Sequence, residues 1–110
     1  MHLFKFEDFI FDATSHKLSY KGKKVDIRPK ALKLLSLLIV NRHKVLSKSE
    51  IISSIWGSDY ARDHLLFQLI SELRKHPLKN EFVRTLPNEG YKWNVKTKII
   101  KSTTYLPKVM

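Results

Sequence analysis

The sequence predicts an α+β fold: an N-terminal antiparallel β-sheet, three helices, and a C-terminal β-hairpin. Three observations carry this expectation. Short aromatic or alternating runs fill residues 3–28, apolar residues at helical spacing dominate 29–76, and two further short runs flank a turn tetrapeptide at 87–90. A chain of 110 residues fits one domain, expected over residues 1–96, with 97–110 as a basic tail or linker.

Leu3-Phe4-Lys5-Phe6 and Phe9-Ile10-Phe11 are aromatic and β-branched, broken by Glu7-Asp8. Lys17-Leu18-Ser19-Tyr20 and Lys24-Val25-Asp26-Ile27 alternate polar and apolar, with Lys21-Gly22-Lys23 as the turn between them. A small sheet with one wet face follows. Pro29 stands at a first helical position, where its missing N–H costs nothing. Ala31, Leu32, Leu34, Leu35, Leu38 and Ile39 then predict a largely buried helix over 29–41. Ser47-Lys48-Ser49-Glu50 has the form of a capping box and opens a second helix, which Gly57 ends. After a short loop, a third helix runs from about Asp63 to His76 and is stopped by Pro77. Phe82–Leu86 and Tyr91–Val95 are two strands joined by Pro87-Asn88-Glu89-Gly90.

The formal net charge of +11 contributes nothing to folding and points to a polyanionic partner, nucleic acid ahead of an anionic membrane surface. It is spread along the chain, so the partner is expected to meet a folded basic face and not a polybasic arm. With no Cys, disulfides and cysteine-ligated metals are excluded. The five His show no ligand spacing, and no nucleophile–base pair or Gly-rich phosphate loop occurs. Neither an enzyme nor a metal or other cofactor is expected. The longest uncharged apolar stretch, 34–41, is too short to span a bilayer, and the start lacks a signal peptide's apolar segment. A cytoplasmic location is the expectation.

The third helix carries most of the functional information. Leu66, Leu69, Ile70 and Leu73 form one apolar stripe, while His64, Gln68, Ser71 and Lys75 line the opposite side. Phe67 and Arg74 flank one edge of that line, and Leu65 and Glu72 the other. Gln can bond two edges of adenine, Ser is an adaptable donor or acceptor, Lys reaches guanine or phosphate, and Phe packs on a thymine methyl. Any amphipathic surface helix also presents a polar face, so this pattern alone is weak. Trp56, Tyr91 and Trp93 are read as core residues ahead of base-stacking ones.

The string Gln68-Leu69-Ile70-Ser71-Glu72-Leu73-Arg74-Lys75, followed by Val83-Arg84-Thr85-Leu86-Pro87-Asn88-Glu89-Gly90-Tyr91, resembles the C-terminal signature of the OmpR/PhoB-type winged-helix DNA-binding domain. Leu46–Ile52 and Ile55-Trp56-Gly57 are similar to that family's second helix, and the resemblance covers roughly residues 4–96. It implies a winged helix-turn-helix that binds double-stranded promoter DNA, with the third helix in the major groove and the hairpin as a wing on minor groove or backbone. By position, His64, Phe67, Gln68, Ser71, Arg74 and Lys75 would form the recognition helix's contact set. Lys48, Arg84, Thr85, Asn88 and Lys92 would meet the backbone, and the loop with Ser58, Asp59, Tyr60 and Arg62 would meet RNA polymerase. Lys48 sits in a helix's first turn, where a cation opposes the dipole and invites an anion.

A chain that starts at the sheet resembles the ToxR/CadC-like branch of bacterial activators, which implies a membrane tether beyond residue 110. The Asn88-Glu89-Gly90-Tyr91 turn is similar to that of virulence-gene activators. Two departures from the family matter. Glu89 replaces a basic wing residue and disfavours minor-groove entry. Ser71 and Glu72 make the reading face less basic, which implies modest affinity and dimeric or tandem binding. The competing reading is a winged-helix protein-interaction module that docks through Leu65 and Phe67 without reading DNA.

Overall fold

The computed structural model describes residues 2–57, 63–75 and 77–101. The chain forms two compact units: residues up to Asp26 together with those from Lys96 onward, and Ile27–Val95.

The first unit is a five-stranded antiparallel sheet of β1 (Leu3–Phe6), β2 (Phe9–Asp12), β3 (Lys17–Tyr20), β4 (Lys23–Lys24) and β7 (Lys98–Lys101), in the order β4-β3-β2-β1-β7. Register places Phe4 opposite Phe11, Phe6 opposite Phe9, and Phe11 opposite Leu18, so these side chains share one face, and all are buried. Phe6 and Phe9 stack at 5.1 Å between ring centroids, and Phe9 meets Tyr20 at 4.5 Å. Lys5, Ile10 and Ser19 align on the other face. Asp12 Oδ1 accepts from the Thr14 and Ser15 backbone N–H groups and turns the chain from β2 into β3.

Several boundaries differ from the sequence expectation. The paired part of β4 is only Lys23–Lys24, not 24–27. Residues 98–101, read as the start of a tail, form a strand against Leu3–Lys5 with a bulge between Leu3 and Phe4. Lys-Ile-Ile-Lys has no alternation, and both Ile99 and Ile100 are exposed. This strand is held by backbone pairing, which leaves no mark on the side-chain pattern.

The second unit holds α1 (Pro29–Val40), α2 (Lys48–Trp56), α3 (Asp63–Leu73) and a hairpin of β5 (Val83–Leu86) and β6 (Gly90–Trp93). Ala31, Leu34, Leu35, Leu38 and Ile39 from α1, Ile51, Ile52 and Ile55 from α2, and Leu66, Leu69, Ile70 and Leu73 from α3 are buried. Each Leu or Ile among them, removed from water, contributes about 2 kcal/mol. Leu46, Leu78, Phe82, Val83, Tyr91 and Trp93 complete the buried set, so Tyr91 and Trp93 are core residues.

The capping box forms as its spacing predicts. Ser47 Oγ accepts from the Glu50 N–H at 3.1 Å, and Glu50 Oε1 accepts from the Ser47 N–H at 2.9 Å. Gly57 ends α2 in the left-handed conformation at φ 80°. α3 stops at Leu73, three residues before the expected His76, which lies outside the described residues. Pro77 explains the early stop. In a helix that ran on, its ring would conflict with the carbonyl four residues back, at Leu73. The last α-type bond is Arg74 N–H to Ile70 O, and Lys75 N–H already turns to Glu72 O. Phe82, expected in a strand, instead closes a short 3₁₀ turn at Asn80–Phe82.

Candidate functional site

The amphipathic pattern of α3 becomes two physically distinct sides. The stripe Leu66, Leu69, Ile70 and Leu73 is buried, and His64, Phe67, Gln68 and Ser71 are exposed. Phe67 keeps 48% of its surface open, an unusual exposure for so large an apolar side chain. Phe67, Gln68, Ser71, Glu72 and Lys75 line one shallow depression, so the structure brings four of the expected contact residues onto a single surface. Leu65 is only half-buried.

Arg74 and Lys75 lie just past the helix. Lys75 is exposed, whereas Arg74 turns toward the hairpin. Its Nη2 donates to the Val83 carbonyl at 2.5 Å and to Thr85 Oγ1 at 2.8 Å. These charge-assisted bonds clamp the end of α3 to β5. Thr85 takes part in the same clamp.

The hairpin is also anchored to α2. Leu46 and Tyr91 exchange both backbone bonds, at 2.8 and 2.9 Å, directly before the Ser47 cap. Gly90 permits this approach: a Cβ there would lie 1.9 Å from the Leu46 carbonyl oxygen. In the turn, Asn88 adopts φ 64°, which its short polar side chain tolerates, and the Glu89 N–H donates to Leu86 O at 3.0 Å. A groove of about 480 Å³ runs between the start of α2 (Ser47, Lys48, Ser49), Phe67, and the hairpin from Thr85 to Tyr91.

The basic residues divide by environment. Arg84 and Lys92 are directly opposed across the hairpin, on the face away from Val83, Tyr91 and Trp93. Like charges so placed repel unless an anion lies between them. Lys48 already has an anion. Its Nζ donates to Asp63 Oδ2 at 3.1 Å and lies 5.6 Å from the Phe67 ring centroid. The carboxylate its helix-start position invites is therefore supplied by α3 itself. Glu72 is bound by Arg28 through two bonds, Nε to Oε2 at 2.8 Å and Nη2 to Oε1 at 2.5 Å. Arg28 holds the Glu72 carboxyl below its ordinary value against an opposing effect of partial burial. Sequence reading missed this pair, the Lys48–Asp63 pair and the Arg74 clamp, because they join residues 9 to 44 positions apart.

Ser58, Asp59, Tyr60 and Arg62, the expected polymerase-contact loop, lie outside the described residues. Among the described residues no cluster of His, Asp and Glu is placed to hold a metal ion, and no helix is long and apolar enough to cross a membrane.

Residues 22–93 match the family described as "Transcriptional regulatory protein, C terminal". The chain is 34% identical over 92 residues to response regulator RR06 of Streptococcus pneumoniae, covering 82% of this chain and 42% of that protein. It is 28% identical over 90 residues to the transcriptional activator CadC of Escherichia coli, covering 77% and 18% respectively, and so spans well under half of either relative. In fold it is similar to the DNA-binding domain of E. coli CadC, with a TM-score of 0.75 at 23% identity over 90% of this chain and 97% of that one. It is also similar to the Klebsiella pneumoniae RstA DNA-binding domain solved with its RstA box, with a TM-score of 0.71 at 18% identity over 83% and 95%. The expected architecture of N-terminal sheet, three helices and C-terminal hairpin is that of these OmpR/PhoB-type winged helices.

Proposed function

Since the chain belongs to the family of transcriptional regulatory protein C-terminal domains, we propose that it binds double-stranded promoter DNA and regulates transcription there. The observation that carries this reading is the open side of α3, where Phe67, Gln68, Ser71 and Lys75 share one exposed surface. That combination suits a major groove: amide and hydroxyl groups for base edges, an aromatic ring for a thymine methyl, and a cation for guanine or phosphate. Gln68 and Ser71 read bases, with His64 at the start of the same face. Lys75, Arg84 and Lys92 hold phosphates, and Asn88 sits at the wing tip. Lys48 and Arg74 act chiefly by fixing α2, α3 and the wing in register, through Asp63, Val83 and Thr85.

The finer parts of the reading are activation, as CadC is titled an activator, and occupancy of DNA by two copies. They also include a polymerase contact through residues 58–62 and a membrane tether beyond residue 110. The exposed Glu89 keeps the wing on the backbone and out of the minor groove.

Fluorescence anisotropy with a promoter duplex and a scrambled duplex, at about 50 and 200 mM salt, tests the reading. Neutralising three phosphates gives a log–log slope near −2.7, so affinity falls roughly 40-fold across that range. Binding that is absent, or equal for both duplexes and insensitive to salt, refutes it. The half-exposed Phe67 favours one alternative, a protein-docking surface. In that case Phe67→Ala abolishes partner binding while Gln68→Ala and Lys75→Ala change nothing.

A further inference from the structure

One acidic side chain borders the surface assigned to DNA reading. Glu72 lines the same depression as Phe67, Gln68, Ser71 and Lys75. An unpaired carboxylate there would repel phosphates and would accept a hydrogen bond from the N4 amino group of cytosine. Glu72 is instead gripped at both oxygens by the Arg28 fork, across 44 residues of sequence.

Nothing in α1 itself calls for Arg28. It is the N-cap residue, where a cation opposes the helix dipole; its side chain makes no capping bond, and the first turn carries no acidic residue. Pro29 confines Arg28 to extended backbone, observed at φ −58° and ψ 147°, and this fixes the direction in which the long side chain leaves the chain. The Arg28 side chain is 68% exposed and that of Glu72 27%. The fork uses two of the guanidinium's five N–H donors, so the remaining edge faces solvent.

We infer that Arg28 is a specificity-determining positioning residue: it withdraws the Glu72 carboxylate from base edges and so stops α3 from selecting cytosine beside the bases that Gln68 and Ser71 address. This rests on the DNA-binding reading above. So exposed a pair adds little to stability, and its consequence lies in base preference.

The test compares wild type, Arg28→Ala, Glu72→Ala and the double variant by selection from randomised duplexes, with thermal melting to verify that each folds. Arg28→Ala gains roughly fivefold in preference for cytosine at one position and binds more weakly overall. The double variant returns to the wild-type profile, a rescue that a merely structural role would not produce. An unchanged profile in Arg28→Ala, or a shifted profile that Glu72→Ala fails to revert, overturns the inference while leaving DNA binding intact. A wild-type chain that selects no sequence overturns both.

Discussion

Replacing Gly90 by alanine tests how the hairpin is held against the start of α2. Gly90 has φ 139°, a conformation open in practice only to glycine, and an added Cβ would lie 1.9 Å from Leu46 O and 2.9 Å from Ser47 Cα. Both neighbours are backbone, so no side chain can swing aside. Relief requires the Leu46–Tyr91 bridge to open, with loss of two hydrogen bonds worth about 1 kcal/mol each. Residual backbone strain adds about 1–3 kcal/mol. The expected loss of about 3–5 kcal/mol is a large share of the roughly 5–15 kcal/mol that holds a domain together. Gly57 is the internal control: it is also left-handed, at φ 80°, but nothing lies within 4 Å of its added Cβ. Gly57→Ala should cost only about 1–2 kcal/mol. Urea denaturation followed by circular dichroism measures both. If Gly90→Ala proves no more costly than Gly57→Ala, the close packing of the wing on Leu46 does not exist as described.

Two further predictions address the clamp and the carboxylates. Arg74→Ala should lose about 1.5–3 kcal/mol in urea denaturation, because it leaves the buried Val83 carbonyl without its charged donor; Lys75→Ala should leave stability within about 0.5 kcal/mol. Equal, small effects would place Arg74 outside the packing of the hairpin. Glu50, held down by the Ser47 N–H and the Lys44 ammonium, and Glu72, held down by Arg28, both have depressed carboxyl values. Their contribution is fully present above the unfolded value of about 4.3 and is lost as pH falls through the lower folded values. Thermal melts should therefore drop on acidification below about pH 4.3, with a shallower slope in Glu50→Gln/Glu72→Gln. A slope unchanged in that variant contradicts the assignment.

Local rules made much of this fold legible. The Ser47–Glu50 spacing marked the start of α2 to the residue, and the stripe Leu66, Leu69, Ile70, Leu73 gave the buried side of α3. Pro87-Asn88-Glu89-Gly90 located the hairpin turn. What escaped was non-local. β7 pairs with Leu3–Lys5 from the far end of the chain, through backbone groups that every sequence carries. α3 ends earlier than its helical period alone predicts, because Pro77 reaches back to Leu73. At the candidate site, exposure of Gln68 and Ser71 followed from the wheel. The commitments of Lys48 to Asp63, Arg74 to the hairpin and Glu72 to Arg28 depend on which surfaces folding brings together.

In the proposed function the outer side of α3 reads bases. Affinity for the selected duplex, and for versions with each base pair replaced in turn, should be measured for wild type and Gln68→Ala. Gln68→Ala should lose about 1–3 kcal/mol of discrimination at one A·T pair and keep the wild-type dependence on salt. Discrimination preserved at every position would contradict it.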